Sequence, residues 1–155
     1  MKRIAVFPGS FDPITIGHLD IVKRSLPLFD EIVVAIGNNS VKKYFFPLAK
    51  RLELLKNIFK EEKKVSINAY EGLTVDFCES ENAQFIIRGL RSSTDFEYEK
   101  TIALFNKELK GGVETIFMAS SPQYSHISST VVREILKYGG DVGPFVPKEI
   151  ATILV

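Results

Sequence analysis

The chain has 155 residues, of which 45% are hydrophobic and 25% are charged, and its formal net charge is +1. This length suits one domain with its own core, so a single domain over residues 1–155 is expected. Neither nucleic acid nor a membrane is an expected partner, because the charge is balanced and no apolar run reaches the length of a membrane span. The apolar run near Met1 ends at Pro8, too early for the core of a signal peptide, so a cytoplasmic location is expected.

Apolar runs and helix-spaced apolar residues alternate from one end of the chain to the other. The predicted strands cover residues 4–7, 31–36, 65–70, 84–87 and 114–119. The predicted helices cover residues 18–29, 47–59, 73–81, 95–109, 129–137 and 147–154, two of them starting at a proline. The single cysteine, Cys78, falls in a predicted helix; it excludes an intrachain disulfide and is interpreted as a buried structural thiol.

Buried strands that alternate with helices are typical of a parallel sheet covered on both faces. With right-handed crossovers the expected fold is α/β, a Rossmann-like, doubly wound sheet of five parallel strands. Such sheets bind ligands beyond the carboxyl ends of their strands. In this chain the residues with unusual chemistry follow the predicted strands.

The first such segment runs from Gly9 to His18, between the first strand and the first helix. Gly9 and Ser10 leave room for a ligand near the backbone, and the helix start offers free N–H groups and His18 as donors to phosphate. The segment is neither G-x-G-x-x-G nor G-x-x-x-x-G-K-[ST], so dinucleotide and P-loop interpretations lack support. On the residues alone, Gly17 and His18 could also be an ordinary tight turn and helix start.

A second segment begins with two arginines, Arg88 and Arg91, after the fourth strand. Three residues apart, they can point into one crevice, where guanidinium groups suit phosphate oxygens. The alternative is a solvated loop whose arginines form surface ion pairs with Asp95 or Glu97.

A third segment, from Tyr124 to Arg133, places serine and threonine hydroxyls at a helix start. Capping alone explains them, although the same hydroxyls and free amides could hold the β- and γ-phosphates of a nucleotide. His126 is interpreted as a surface residue or as packing near adenine. The two histidines lie far apart in sequence, so no zinc site is predicted.

Together these segments resemble a known family. Residues 15–18 resemble the T/H-x-G-H signature of the nucleotidylyltransferase superfamily, and residues 127–133 resemble its I-S-S-T/S-x-V-R signature. Residues 88–99 resemble the R-G-L-R-x-x-x-D-F-E-Y-E signature of phosphopantetheine adenylyltransferases, and Thr15 is the variant seen in that family. The resemblance extends from Arg3 to about Pro147.

The resemblance implies transfer of an adenylyl group from ATP to 4′-phosphopantetheine, with His18, Lys42 and Arg91 as catalytic residues. The residues it implies at ATP are Ser10, Phe11, His18, Gly89, Leu90, Arg91, Glu99, Tyr124, Ser125, His126, Ile127, Ser128, Ser129 and Thr130. Those it implies at phosphopantetheine are Ser10, Lys42, Thr74 and Arg88. The family pattern Asn-Pro-x-Lys-Lys reads Asn39-Ser40-Val41-Lys42-Lys43 here, without the proline. Without the resemblance, Lys42 and Lys43 read as an exposed basic loop.

In such a transfer the acceptor phosphate is itself the nucleophile, so no serine, cysteine or general base is required. The resemblance further implies magnesium carried by ATP without protein ligands, a homohexamer, and inhibition by coenzyme A. Three alternatives stay open. They are a nucleotidylyltransferase acting on nicotinamide mononucleotide or on glycerol 3-phosphate with CTP, a non-catalytic nucleotide sensor, and, least favoured, a nucleic-acid-binding module.

Overall fold

The computed structural model describes residues 1–154; Val155, the last residue of the predicted domain, lies outside the described residues. The strands are β1 (Ile4–Gly9), β2 (Glu31–Gly37), β3 (Val65–Tyr70), β4 (Phe85–Leu90) and β5 (Glu114–Ala119). The helices are α1 (Ile16–Ser25), α2 (Leu48–Phe59), α3 (Thr74–Ser80), α4 (Ser93–Leu109), α5 (Ser129–Lys137) and α6 (Lys148–Ala151). Over residues 1–154, no helix combines the length and apolar character needed to cross a membrane.

The five strands form one sheet in the order β3-β2-β1-β4-β5, and every pairing is parallel. This confirms the predicted five-stranded parallel α/β sheet. From the central strand β1 the chain first builds outward through β2 and β3, then returns to add β4 and β5 on the other side. The reversal leaves a crevice at the carboxyl ends of β1 and β4, which is where ligands of such sheets bind.

Side chains of β1 alternate between two hydrophobic cores, one on each face of the sheet. Ala5 and Phe7 belong to the larger core, which α1, α2, α5 and α6 also supply, whereas Val6 packs with Val75 and Cys78 of α3. Helices therefore cover both faces, as a doubly wound sheet requires. Burial raises the pKa of the Cys78 thiol to about 12, so this cysteine is a neutral packing residue.

Two helices begin earlier than the apolar pattern predicts, because a capping side chain precedes each of them. Thr15 caps α1, its hydroxyl accepting the backbone N–H of His18, so the helix starts at Ile16 and Gly17 lies within its first turn. Ser92 caps α4 in the same way and accepts the N–H of Asp95. Capping of this kind leaves no trace in a hydrophobic repeat.

Candidate active site

The crevice at the carboxyl ends of β1 and β4 contains two adjoining cavities. The His18 cavity has a volume of about 330 Å³ and extends to α5; its wall includes His18, Gly89, Arg91, Tyr124 and residues 127–130. The Tyr70 cavity has a volume of about 310 Å³ and extends toward α3 and α4; its wall includes Tyr70, Thr74, Ile102 and Asn106. The wall common to both consists of Pro8, Gly9, Ser10, Arg88 and Glu99.

The imidazole of His18 is held in one tautomer by the turn that starts α1. The backbone N–H of Thr15 donates to Nδ1 of His18 over 3.0 Å, and the hydroxyl of Thr15 lies 3.1 Å from the same nitrogen. Because Nδ1 accepts a hydrogen bond from a backbone amide, a neutral ring carries its proton on Nε2. The Nε2–H group is therefore the donor that His18 can offer to a ligand in its cavity.

Electrostatics keep this imidazole neutral. Burial, followed by the positive charges of Arg91 and Arg88, lowers the pKa of His18 from 6.5 to about 4. A neutral histidine surrounded by fixed cations suits a site for phosphate, since the arginines supply the charge and the imidazole supplies a directed hydrogen bond.

Phe11 supports His18 from behind rather than from within the cavity wall. Its ring is 3% exposed and meets the His18 ring edge-on, with the ring centroids 5.2 Å apart. Phe11 has a φ of 46°, in the left-handed region that non-glycine residues rarely adopt. A Cβ at Gly9 would lie only 3.0 Å from the Phe11 ring, so any larger residue there would require the ring to shift by a few tenths of an ångström.

Arg88 lies at the junction of the two cavities and is locked in place by Glu99 of α4. Its Nε and Nη2 donate to the two Glu99 carboxylate oxygens over 2.8 and 2.7 Å, and its Nη1 donates to the carbonyl of Pro8 over 2.8 Å. This bidentate fork fixes the guanidinium plane. The remaining N–H groups of Nη1 and Nη2 stay available for an anion at the junction.

Arg91 lies further out, on the wall of the His18 cavity. Its Nε is 3.4 Å from the Asp95 carboxylate, and its Nη1 donates to the carbonyl of Ile127 over 3.5 Å. The sequence left open whether the two arginines would pair with Asp95 or Glu97. Arg91 does pair with Asp95, whereas Arg88 pairs with Glu99 and remains in the crevice.

The start of α5 is tied to the loop after β1. Ser128 caps the helix, Ser129 donates to the carbonyl of Pro13 over 2.8 Å, and Arg133 donates to the carbonyl of Asp12 over 2.8 Å. The free amides of this helix start therefore face the cavity that also contains His18. A helix start of this kind suits phosphate groups.

The structure brings most of the predicted site residues to the crevice and leaves some outside it. The predicted residues that line a cavity are Ser10, His18, Thr74, Arg88, Gly89, Arg91, Glu99, Tyr124, Ile127, Ser128, Ser129 and Thr130. Phe11, Lys42, Leu90, Ser125 and His126 line neither cavity. Lys42 is exposed on the loop after β2, and His126 is exposed between the 3-10 turn at Pro122–Tyr124 and α5.

Comparison with known proteins identifies the family. A family described as cytidylyltransferase-like matches residues 6–135. A phosphopantetheine adenylyltransferase from Christiangramia forsetii is 56% identical over 147 residues, which covers 95% of this chain and 96% of that protein. One from Leptospira biflexa is 46% identical over 155 residues, covering 100% of this chain and 97% of that protein. The chain belongs to the phosphopantetheine adenylyltransferase family.

A solved structure supports the fold separately. It is a protein from Vibrio parahaemolyticus provisionally assigned as a nicotinate-nucleotide adenylyltransferase, with a TM-score of 0.73, 21% identity and 99% coverage of both chains. At this identity the likeness concerns the fold. The matching family and the named relatives show that this member of the phosphopantetheine adenylyltransferases is a nucleotidyltransferase.

Two side chains that connect the site loops of this phosphopantetheine adenylyltransferase are absent from the sequence-based prediction. The carboxylate of Asp12 accepts the backbone N–H groups of Phe45 and Phe46, each over 2.8 Å. Arg51 of α2 donates to the carbonyls of Ser10 and Phe46. The only signal in the sequence was that Arg51 falls among the apolar positions of α2, and periodicity alone does not distinguish a buried arginine from a solvated one.

Proposed function

We propose that this chain transfers the adenylyl group of ATP to 4′-phosphopantetheine, giving 3′-dephospho-coenzyme A and pyrophosphate. The observation that carries this proposal is the junction of the two cavities at Arg88, beside His18. Two phosphorylated ligands, one in each cavity, would meet there with their phosphates side by side. Membership of the family supplies the identities of the two ligands.

ATP is assigned to the His18 cavity. The amides and hydroxyls of Ser129 and Thr130 at the start of α5, together with Arg91, suit the β- and γ-phosphates. Of the residues 124–127 expected beside adenine, Tyr124 and Ile127 line this cavity and would border the base, whereas Ser125 and His126 lie outside its wall. The Nε2–H of His18 would donate to an oxygen of the α-phosphate.

Phosphopantetheine is assigned to the Tyr70 cavity. Its phosphate would lie at the junction, near Ser10 and Arg88, and Lys42 would reach it from the exposed loop after β2. The pantetheine arm would run past Thr74, whose hydroxyl lies 2.7 Å from the Tyr70 hydroxyl.

In the reaction an oxygen of the acceptor phosphate attacks the α-phosphorus in line, and the bond from that phosphorus to the β-phosphate oxygen breaks as pyrophosphate leaves with the electron pair. The nucleophile is already anionic, so no proton has to be removed from it. Neutral His18 and cationic Lys42 stabilise the charge that grows on the α-phosphate, and Arg91 holds the departing pyrophosphate.

Magnesium would enter as its complex with ATP. Across residues 1–154, no three His, Cys, Asp or Glu side chains are grouped so that they could hold a metal ion, so the phosphates would supply the anionic oxygens. The ion contributes neutralisation of phosphate charge, while the residues of this chain position the two ligands.

Self-association to a homohexamer is part of the proposal. Helix α4 exposes Tyr98, Leu104, Phe105 and Leu109, each more than half accessible, along a surface that a monomer would leave in water. Coenzyme A is proposed as an inhibitor because it combines the adenine and pantetheine groups that the two cavities would hold. A cytoplasmic location fits the single, buried thiol.

The test is release of pyrophosphate from ATP and magnesium with 4′-phosphopantetheine, beside nicotinamide mononucleotide with ATP and glycerol 3-phosphate with CTP. We expect pyrophosphate to be released only when phosphopantetheine is the acceptor, with dephospho-coenzyme A as the other product. Release with another acceptor would overturn the substrate assignment, and no release with any acceptor would indicate a nucleotide sensor. His18→Ala is expected to lower kcat by orders of magnitude while ATP still binds.

A further inference from the structure

The charged side chain of Arg51 is buried without a direct ion pair. It is 1% exposed and is the largest of the fully buried side chains in the described part of the chain. Within residues 1–154 no carboxylate oxygen lies within 4.0 Å of its guanidinium group. Burial lowers the pKa of Arg51, and the negative charge of Asp12 offsets only part of that effect, so keeping this charge inside is costly.

The guanidinium group binds two loops of the active site at once. Nη1 donates to the carbonyl of Ser10 over 2.8 Å, on the loop after β1. Nε donates to the carbonyl of Phe46 over 3.1 Å and Nη2 to Oδ1 of Asn38 over 3.2 Å, at the two ends of the loop of residues 38–46. We call this second loop the Lys42 loop.

The ring of Tyr44 packs against one face of the Arg51 guanidinium group. The Arg51 Cζ atom lies 3.9 Å from the centroid of the Tyr44 ring, and the Tyr44 hydroxyl accepts the backbone N–H of Asn39 over 2.9 Å. The carboxylate of Asp12 adds a second connection by accepting two amides of the Lys42 loop. The middle of that loop, which includes Lys42, is exposed, so these contacts at its ends set its position.

We infer that Arg51 is a positioning residue for the acceptor phosphate, holding the Ser10 backbone and the Lys42 loop at a fixed separation. A guanidinium group can do this because its planar fork reaches several acceptors in fixed directions, whereas a lysine ammonium is a single point on a flexible stem. The start of α5, assigned to ATP, is tied by Ser129 and Arg133 to Pro13 and Asp12, further along the loop after β1. On that loop Arg51 hydrogen-bonds only Ser10, so its contacts bear more directly on the Lys42 loop than on α5. Removing Arg51 should therefore impair use of the acceptor more than binding of ATP.

The inference rests on the proposed function and is tested by steady-state kinetics of Arg51→Lys, with a direct measurement of ATP binding. The kcat/KM for phosphopantetheine is expected to fall roughly ten- to a hundredfold, because displacement of a catalytic group by about 1 Å has effects of this size. The dissociation constant for ATP should change less than about threefold. Lys50→Met, which removes a cation that pairs with Glu53 on the same helix, is the matched control and should retain wild-type kinetics.

A double-mutant cycle tests whether Arg51 acts through the Lys42 loop. In the double variant Arg51→Lys with Lys42→Ala, the loss in kcat/KM should be smaller than the product of the two single losses. A loss in kcat/KM equal to that product would overturn the inference. So would an Arg51→Lys protein in which ATP binding weakens as much as kcat/KM for phosphopantetheine falls. Wild-type acceptor kinetics in a folded Arg51→Lys protein would overturn it too.

A second variant covers the case in which Arg51→Lys does not fold. Asn38→Ala removes one hydrogen-bond acceptor of Arg51, on a partly exposed loop residue. We expect a smaller loss of kcat/KM for phosphopantetheine and no change in ATP binding. Unchanged acceptor kinetics in Asn38→Ala would overturn the inference. A wild-type protein that releases no pyrophosphate with phosphopantetheine would instead contradict the proposed function, so the two failures are distinguishable.

Discussion

The ionisation of His18 gives the sharpest test of the site, because the chain contains only two histidines. In the variant His126→Asn, the single remaining imidazole can be followed by NMR as a function of pH. We expect it to titrate near pH 4 in the free protein, well below the usual 6.5. Since each pH unit corresponds to about 1.4 kcal/mol, the folded protein favours the neutral ring by about 3 kcal/mol.

The causes of the lowered pKa can be separated. Burial is the largest cause and the charge of Arg91 the next, so Arg91→Met should raise the pKa only part of the way toward 6.5. Adding ATP with magnesium should also raise it, because the anionic phosphates offset the arginines. The nitrogen chemical shifts at pH 7 should show the proton on Nε2, as the hydrogen bond from the Thr15 amide requires.

The same pKa affects stability with a definite sign. As the pH falls below 6.5, the unfolded chain takes up a proton at His18 while the folded chain does not until about pH 4. The free energy of unfolding therefore falls by about 2 kcal/mol from pH 7 to pH 5. In His18→Gln this contribution is absent, so its free energy of unfolding should not show this decrease. The measurement is urea unfolding of both proteins at one protein concentration. A midpoint near 6.5 for His18, or the same pH dependence in both proteins, would refute the reasoning.

Three further predictions concern the surroundings of the site. Glu99→Gln should lower kcat/KM roughly ten- to a hundredfold in the pyrophosphate assay, since it weakens the fork that holds Arg88, and charged hydrogen bonds contribute about 1.5–3 kcal/mol. Gly9→Ala should lower kcat and shift the aromatic NMR resonances of Phe11, because the new methyl group would press on that ring. Cys78 should resist a thiol reagent in the folded protein and react once urea unfolds it, because burial raises its pKa to about 12.

Each of these predictions has a control or a contradicting result. Glu97→Gln alters an exposed carboxylate on the same helix, so it should leave activity unchanged. Equal losses of kcat/KM in both variants would show that the effect of Glu99→Gln does not come from its fork with Arg88. A fully active Gly9→Ala protein would show that the ring of Phe11 can move without cost. Rapid reaction of Cys78 in the native state would contradict its burial.

The strands were predictable because parallel strands buried on both faces form continuous apolar runs. Residues 32–36 are such a run and lie in β2. The three motifs were also found from the sequence, since each follows a strand and combines glycine, hydroxyl or basic residues in a short segment. Their location in one crevice follows from the parallel arrangement, in which all carboxyl ends meet at one edge of the sheet.

The partners of the site residues were less predictable. Arg88 was expected to bind phosphate or to form a surface pair with Asp95 or Glu97, and the fork with Glu99 emerged only when α4 packed against β4. Phe11 was assigned to ATP from its position in a motif, yet its positive φ places its ring behind His18. Neither result can be obtained from a pattern of residue types.

The sequence by itself determined the succession of strands and helices, the edge of the sheet at which the chemistry lies, and the family resemblance. Those features depend on neighbours within a few residues or on short linear motifs. The tertiary structure decided the order of the strands, the tautomer and pKa of His18, and the role of Arg51. Burial and charge depend on groups brought together from far along the chain, such as Arg51 with Ser10, 41 residues apart, and Arg133 with Asp12, 121 residues apart.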